Sequence, residues 1–327
     1  MTSLYPLKFK PIYKTKIWGG NKFYNVFNRD CVPSNCGESW EICDFDGNVS
    51  IVNNGPLNGK SLDELINVYK DDIVGHNIYR FFGTTFPLLI KFIDAVQNLS
   101  VQVHPNDTLA RKSGHKFGKT EMWYVVQTDD NSTIISGFHK QVSKSTFLQA
   151  VEQNMLPSIL QHNTTNVGDV FFIPAGCVHA IGSGNLILEI QQSSDITYRI
   201  FDYNRTDSNG NYRALHISQA LEAIDYSSIN CGKIKYSPSS TFERIIKCNF
   251  FTTNTLFLED NFERNYSKID SFVILICVEG CCIMKYNNTE EFFALTLGES
   301  ILIPAIISKI IFHPVGKVRL IETFTSI

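Results

Sequence analysis

The sequence predicts a mostly β protein that contains two related β-barrels and some helical insertions. Most apolar segments are short, rich in Val, Ile, Phe and Tyr, and separated by turn residues, as at residues 120–127, 169–174 and 185–192. A strand motif recurs later in the chain, which indicates that the barrel occurs twice. The 327 residues are enough for two such domains, each with its own core.

Composition and charge argue against several classes of function. Hydrophobic residues make up 43% of the chain, and the net charge is −3. Because there is no basic excess, we expect no nucleic acid partner, and a few placed cations must hold any anionic ligand. We also expect no membrane span and no secretory leader, since the apolar runs are too short. The nine cysteines contain no Cys-x-x-Cys pair and predict free thiols in a reducing cytoplasm.

Three segments between the strands are predicted to be helical. The first, residues 61–82, has apolar side chains at helical spacing at Leu62, Leu65, Ile66 and Tyr69. Ser61, followed three residues later by Glu64, predicts a capping box at its start. Residues 144–160 and 215–223 are the other two helical segments.

The repeated motif is a strand that ends at a proline. Gly-Asp-x4-Pro at residues 168–174 recurs as Gly-Glu-x4-Pro at residues 298–304. The first copy leads through Gly176 to His179, whereas the second copy has Lys309 at the place of the histidine. We therefore expect two related barrels, of which only the first keeps this histidine.

Three residues on β-like segments form a candidate metal site. His104 precedes a proline, and His179 follows a Pro-Gly turn that delivers it to the next strand. Glu121 precedes the apolar residues 122–126, where an inward carboxylate needs a cation or a strong partner. Taken singly, each of the three could be an ordinary turn or core residue. Together, two imidazoles and a carboxylate leave a coordination position open, as at a catalytic zinc site.

The candidate metal site lies in the first of two predicted domains. We place this catalytic domain at residues 1–228, with an N-terminal extension and the helical insertions. Residues 229–327 would be a degenerate second barrel without metal ligands, because His313 is its only histidine from residue 250 onward. The boundary is placed in a stretch with Ser, Asn and Gly at residues 225–238.

Ordered sequence blocks resemble known families. The pattern Gly-x5-Pro-x-Gly-x2-His that ends at His179 is the second motif of the cupin superfamily. The first two-thirds of the chain resembles class I mannose-6-phosphate isomerase in its short bacterial form, through blocks at residues 17–20, 37–41, 86–95, 99–105, 118–124, 174–182 and 189–199. The resemblance implies two cupin-type barrels, that is, double-stranded β-helices.

The resemblance also implies an activity and a cofactor. The family's enzymes interconvert mannose 6-phosphate and fructose 6-phosphate through an enediolate, so a small phosphosugar would be the substrate. One zinc ion per chain would be bound by His104, Glu121 and His179. Gln102, which shares a strand face with His104, would be a fourth ligand. Arg199 would be the active-site arginine, with a fixed charge for the enediolate or the phosphate.

Four more residues are candidates for catalysis and substrate binding. Lys119 shares a strand face with Glu121, and a metal ion beside it would lower its pKa and suit it to carry a proton. Glu189 faces inward on its strand and is the rival base. Asp195 is expected to orient the arginine or the substrate, and Lys91 to contact the phosphate. Lys119 could instead be an ordinary loop lysine, and Asp195 an ordinary turn aspartate. Lys91 could be a strand lysine whose ammonium group reaches towards solvent.

Two other functions fit part of the pattern. An iron-dependent cupin dioxygenase could use the same His and carboxylate ligands, but it leaves Arg199 unexplained. A non-catalytic sugar-binding cupin would have no need of a proton carrier such as Lys119. The sequence leaves open the identity of the base, the native metal and the oligomeric state.

Overall fold

The computed structural model of the chain describes residues 2–206, 210–227, 231–287 and 289–325. Its architecture confirms the prediction of a mostly β protein with several sheets. The predicted domain boundary between residues 228 and 229 lies outside the described residues, so the division at that point stays a prediction. Among the described residues, no helix is both long enough and apolar enough to cross a membrane.

The chain forms two compact units, each built from separated segments. Unit A contains residues 13–39 and 90–234, and unit B contains the chain up to residue 12 with residues 40–89 and 235–327. Three helices, α2 (Leu62–Tyr69), α3 (Asp71–Val74) and α4 (His76–Phe82), fall within the second segment of unit B.

Two sheets supply most of unit A. In the larger sheet, three strands, β1, β2 and β5, continue across a unit limit. The larger sheet has the spatial order β1 (Ile12–Gly20), β2 (Cys36–Ile42), β5 (Leu88–Ala95), β12 (Asn185–Gln192), β7 (Glu121–Thr128), β10 (Val170–Ile173) and β14 (Gly232–Ile234). The smaller has the order β13 (Tyr198–Phe201), β6 (Val101–Val103), β11 (His179–Ile181), β8 (Thr133–Phe138) and β9 (Leu160–Thr164). An apolar core that includes Trp123, Phe171 and Ile187 is buried in this unit.

Unit B contains two further main sheets. The first has the order β15 (Phe242–Lys247), β16 (Thr252–Leu258), β23 (Val318–Phe324), β18 (Val273–Glu279) and β21 (Ser300–Ile303). The second has the order β17 (Phe262–Asn265), β22 (Lys309–Pro314), β19 (Cys281–Tyr286) and β20 (Phe292–Thr296). A short hairpin joins β3 (Asp44–Phe45) to β4 (Asn48–Val49).

The sequence repeat has a counterpart in strand pairing. In unit A, β10 and β12 flank β7, and in unit B, β21 and β23 flank β18 in the same antiparallel way. Gly168 and Gly298, which begin the two copies, have φ angles of 88° and 84°, which glycine adopts without strain. Lys309 begins β22 as His179 begins β11. The repeat is therefore structural, while the number of closed barrels stays a prediction.

The predicted helices are present but shorter and more broken. The capping box of Ser61 and Glu64 is confirmed, but residues 61–82 form three helices because the chain turns at Lys70 and Gly75, with φ angles of 52° and 94°. The helices are α1 (Lys22–Asn25), α2 (Leu62–Tyr69), α3 (Asp71–Val74), α4 (His76–Phe82), α5 (Asp107–Lys112), α6 (Lys144–Glu152) and α7 (Ile217–Ala223), with a 3-10 helix at Leu156–Ile159. Helices α1 and α5 were not predicted from the sequence, and they span only four and six residues.

The expectation that all nine cysteines are free thiols is wrong for one pair, because the structure joins Cys177 and Cys231 in a disulfide. Strand β14, which begins after Cys231, pairs with β10, and β10 leads into the turn that carries Cys177. Both sulfur atoms therefore reach the same apolar core. A contact across 54 residues depends on this strand pairing and has no local sequence signal.

Unit B contains a buried carboxylate that accepts hydrogen bonds from several side chains of the same unit. Glu322 on β23 is fully buried and accepts hydrogen bonds from Asn254 Nδ2 at 2.7 Å and Tyr266 Oη at 2.7 Å. Arg264 adds two more, from Nε at 3.1 Å and Nη2 at 2.7 Å. A carboxylate can remain ionised in such a place only if it is paired and hydrogen-bonded.

Arg264→Leu should therefore destabilise the protein by about 3–5 kcal/mol, because it leaves a buried charge without its counterion. Urea unfolding measures the change. Lys317→Met is the matched control, since Lys317 and its partner Glu259 are both exposed, and its cost should stay below about 1 kcal/mol. Equal effects of the two substitutions would contradict this account.

Candidate active site

The three predicted metal ligands meet inside unit A. His104 follows β6, Glu121 begins β7, and His179 begins β11 directly opposite Gln102 of β6. One potential ligand atom from each residue lies within 4.8 Å of the others. All three side chains are buried, at most 1% exposed. Two sheets thus bring together residues that are far apart in sequence.

Backbone contacts fix both histidine rings. His104 Nδ1 donates to the carbonyl of Ile196 at 2.8 Å, and His179 Nδ1 donates to the carbonyl of Cys177 at 2.9 Å. The Nε2 atoms then carry the lone pairs and face Glu121, at 3.6 Å from His104 and 3.5 Å from His179. A histidine held through one ring nitrogen presents the other as a ligand in a fixed direction.

Three of these atoms lack hydrogen bonds within the described chain. His104 Nε2 and both carboxylate oxygens of Glu121 are buried without a hydrogen-bond partner. Buried acceptors are costly unless something satisfies them. A divalent cation between these three side chains would satisfy all of them, so the residues present fit a metal ion.

Burial and neighbouring charges keep the ligand atoms in their unprotonated forms. Burial lowers the pKa of His104, and it lowers that of His179 to about 3, with His104 as the next cause. Burial alone would raise the pKa of Glu121, but Lys119 and His104 hold it well below its usual value. Two neutral imidazoles and one carboxylate are thus available at neutral pH.

Gln102 lies beside this group. Its side-chain nitrogen is 3.3 Å from His179 Nε2, and its side-chain oxygen accepts a hydrogen bond from Ser100 at 3.3 Å. The amide therefore contacts one of the two histidines predicted to bind the metal, and its oxygen is directed to Ser100.

A cluster of lysines and carboxylates adjoins the ligand group. Lys91 Nζ lies 3.0 Å from Asp195, 3.6 Å from Glu189 and 4.0 Å from Glu38. Lys119 Nζ lies 3.4 Å from Glu121, 3.8 Å from Asp195 and 4.0 Å from Glu189. All the acidic and basic residues that the sequence analysis selected in this region are therefore brought together.

The charges in the cluster shift one another's pKa. Burial alone would lower the pKa of Lys119, but Glu121 and Glu189 raise it overall. The fall expected beside a bound metal ion stays a prediction. Burial and the charge of Glu121 raise the pKa of Glu189 to about 7. Burial would raise the pKa of Asp195, but Lys91 and Lys119 lower it to about 2. Two neighbouring carboxyls thus differ strongly in their protonation.

Some residues of the site had no assigned role from sequence. Glu38 was noted only as part of a resembling block, yet it borders the cavity and pairs with Lys16 at 3.1 Å. Trp123 donates its Nε1 hydrogen to Glu189 at 2.9 Å, which the register of β7 and β12 explains. Arg213 also lines the cavity, and it had no sequence signal because it lies on an irregular segment.

Arg199 lies on the wall of the same cavity. It stands on β13 opposite Gln102 of β6, its Nη1 donates to the carbonyl of Ala214 at 3.0 Å, and its buried Nε has no hydrogen-bond partner in the described chain. The cavity has a volume of about 180 Å³, and its lining includes Gln102, Lys119, Glu189 and Asp195. The predicted arginine, acids and lysines therefore share one pocket with Gln102.

Comparison with known proteins agrees with this site. Residues 6–140 match the model of the type I phosphomannose isomerase catalytic domain. The mannose-6-phosphate isomerase ManA of Bacillus subtilis is 39% identical over 306 residues, which cover 91% of this chain and 93% of that protein. The mannose-6-phosphate isomerase of Streptococcus mutans is 40% identical over 219 residues, 67% of each chain.

Solved structures give the same relationship. The crystal structure of the mannose 6-phosphate isomerase from Bacillus subtilis superposes with a TM-score of 0.87 at 31% identity, covering 97% of this chain and 99% of that one. A structure of a mannosephosphate isomerase described as putative, from Archaeoglobus fulgidus, has the same fold, with a TM-score of 0.80 at 20% identity over the whole of both chains. With relatives this similar along nearly its full length, the chain belongs to the type I mannose-6-phosphate isomerase family.

Proposed function

We propose that this protein interconverts mannose 6-phosphate and fructose 6-phosphate through an enediolate, with one zinc ion per chain. The observation that carries the proposal is the buried His104–Glu121–His179 group. Lys119 and Gln102 contact this group, and both also line the cavity that holds the lysine–carboxylate cluster. An aldose–ketose isomerase needs a proton carrier, a stabiliser for the developing oxyanion and an anchor for its substrate. The cavity contains side chains suited to each of these tasks.

The ligand set supports zinc as the metal. His104 and His179 offer neutral imidazole nitrogens, and Glu121 offers carboxylate oxygens that have no hydrogen-bond partner in the described chain. Three protein ligands with a position left open is the arrangement of catalytic zinc sites. Gln102 is the candidate for a fourth ligand, which would require its side-chain oxygen to leave Ser100. Bound zinc would act as a Lewis acid towards the sugar oxygens.

Two residues are candidates for moving the proton between the adjacent sugar carbons. Glu189, with a pKa near 7, can accept and return a proton near neutral pH, and Trp123 fixes the direction of its carboxylate. Lys119 is the other candidate, since its Nζ lies among three carboxylates. A metal ion bound to Glu121 would neutralise part of the negative charge that now raises the pKa of Lys119.

Arg199 is proposed to stabilise the negative charge of the enediolate. Its guanidinium is half-buried and has no ion pair within the described chain, so its charge is available to a ligand. Lys91 and Asp195 are proposed to bind the substrate. Because Lys91 holds Asp195 ionised at 3.0 Å, this carboxylate can accept hydrogen bonds from sugar hydroxyls.

The wider setting follows from this activity. We infer a cytoplasmic enzyme of carbohydrate metabolism that needs neither nucleic acid nor membrane. Residues 1–228 would form the catalytic domain and residues 229–327 a degenerate cupin domain. An iron dioxygenase or a non-catalytic sugar-binding cupin would leave the lysine–carboxylate cluster without a role.

Metal dependence is the first test. His179→Ala should lose both the metal and turnover of fructose 6-phosphate, because two remaining ligands hold zinc too weakly. Chelation should abolish activity, and added zinc should restore it. Elemental analysis and an isomerase assay measure both effects, and His313→Ala, outside the ligand group, should retain one metal per chain. Full activity in metal-free protein would overturn the proposal.

Arg199→Lys should keep the metal and the fold but lower kcat by roughly 100-fold, as for the loss of an oxyanion donor. An ammonium group cannot reproduce the planar fork of a guanidinium. Steady-state kinetics with metal content measured on the same sample checks this. A rise in KM alone would show that Arg199 binds substrate and transition state equally, against the proposed role.

Trp123→Phe distinguishes the two proton carriers. The substitution removes a hydrogen bond to the charged form of Glu189, so the pKa of that group should rise, by about one unit for a bond worth ~1.4 kcal/mol. If Glu189 acts as the base, the acidic limb of the kcat/KM profile moves to higher pH by that amount. An unmoved limb, with metal content intact, would assign the limb to another group and favour Lys119.

A further inference from the structure

Three arginines and one buried aspartate form a compact group where Arg199 and Arg213 line the cavity. Its members are Arg199, Asp202, Arg205 and Arg213. Asp202 is 5% exposed and lies directly after β13, which carries Arg199. Arg213 donates to Asp202 through Nε at 2.7 Å and Nη2 at 2.5 Å, and Arg205 donates to the same carboxylate at 2.5 Å. One carboxylate therefore accepts from two guanidinium groups, and Arg199 stands beside them.

The local backbone holds this group in place. Tyr203 and Asn204, directly after Asp202, have φ angles of 56° and 53°, and this turn brings Arg205 back to the carboxylate. Arg205 is further fixed by a hydrogen bond to the carbonyl of Asn98. A backbone bridge between Thr206 and Tyr212 then sets the start of the segment that carries Arg213.

One edge of the Arg213 guanidinium group forms hydrogen bonds with Asp202, and the other edge is available to a ligand. Its hydrogen bonds to the described part of the chain use Nε and Nη2, which leaves Nη1 for a ligand. The side chain is 25% exposed and lines the cavity. A guanidinium fixed by a bidentate carboxylate loses little conformational entropy when it binds an anion with its remaining donors.

The lysines that line the cavity already form ion pairs with carboxylates of the same unit. Lys91 and Lys119 each have three carboxylates within 4.0 Å, and Lys16 has Glu38 at 3.1 Å. Within the described residues, Arg213 has one carboxylate partner, Asp202, which it shares with Arg205. A dianionic ligand therefore meets uncompensated positive charge beside Arg213 and Arg199, and fixed negative charge beside the lysines.

We propose that Arg213 anchors the phosphate monoester of the substrate, with Asp202 as the residue that positions it. This inference rests on the proposed isomerase function, and it determines the orientation of the substrate in the cavity. The phosphate lies at Arg213, and the carbons that exchange the proton lie towards Arg199, Lys119 and Glu189, with Gln102 opposite Arg199. It replaces Lys91 as the phosphate contact and leaves Lys91 its role of holding Asp195.

The test is Arg213→Gln in the metal-loaded full-length protein. Loss of a charge-assisted contact should raise KM for mannose 6-phosphate and the inhibition constant of inorganic phosphate together, by about 10–100-fold. The value of kcat should change by less than about threefold, because the contact is made equally in ground and transition states. Turnover of unphosphorylated mannose at high concentration should be the same as in the wild type.

Lys233→Gln is the matched control. It removes one positive charge from the same unit, but Lys233 pairs with Asp169 at 2.6 Å and is not part of the cavity wall. It should leave KM and phosphate inhibition unchanged. Unchanged KM and phosphate inhibition in Arg213→Gln would overturn the inference, and so would an equal loss with unphosphorylated mannose.

A separate measurement keeps this inference distinct from the proposed function. Binding of radiolabelled inorganic phosphate in equilibrium dialysis needs no turnover. If the wild type fails to isomerise mannose 6-phosphate, the proposed function fails, while weaker phosphate binding by Arg213→Gln would still support an anion site. If the wild type is active and both proteins bind phosphate equally, the isomerase proposal stands and the anchor is wrong.

Discussion

The site depends on one constraint, the burial of the Glu121 carboxylate among groups that do not hydrogen-bond to it. A charge removed from water must be compensated by another charge or by donors. Here Lys119 at 3.4 Å compensates it in part, and the two histidines present lone pairs to it and not hydrogens. A cation is the one partner that both the carboxylate and the imidazoles can bind together, which makes the fold of unit A a support for a metal ion.

The same constraint organises the neighbouring residues. Each lysine in the cluster is shared by several carboxylates, so no single pair is isolated, and the carboxyls separate in acidity. Asp195, beside Lys91 and Lys119, has a pKa of about 2, whereas burial and the charge of Glu121 raise the pKa of Glu189 to about 7. Two carboxyls of different acidity in one cavity allow one to bind hydroxyls as an anion and the other to exchange a proton.

Sequence patterns were sufficient where local spacing determines geometry. The alternation of strands places Lys119 and Glu121 together, and the Pro-Gly turn places His179 at the start of β11. They were insufficient where several segments converge. The pKa of Lys119 depends on carboxylates from two other segments, and Arg213 acquires its orientation from Asp202. The same holds for Cys177, whose partner Cys231 lies directly before β14, a strand that is distant in the sequence.

The two units show why one copy of the repeat holds a candidate site. The register of β12 on β7 places Glu189 opposite Trp123, and that of β23 on β18 places Glu322 opposite Leu275, so the two glutamates occupy equivalent positions. The carboxylate of Glu322 accepts hydrogen bonds from Asn254, Arg264 and Tyr266. The same register puts the apolar Val273 at the position of Glu121, and the motif puts Lys309 at that of His179. In unit B the chain itself satisfies the inward carboxylate, whereas in unit A the acceptors of Glu121 and His104 are left for a ligand to complete.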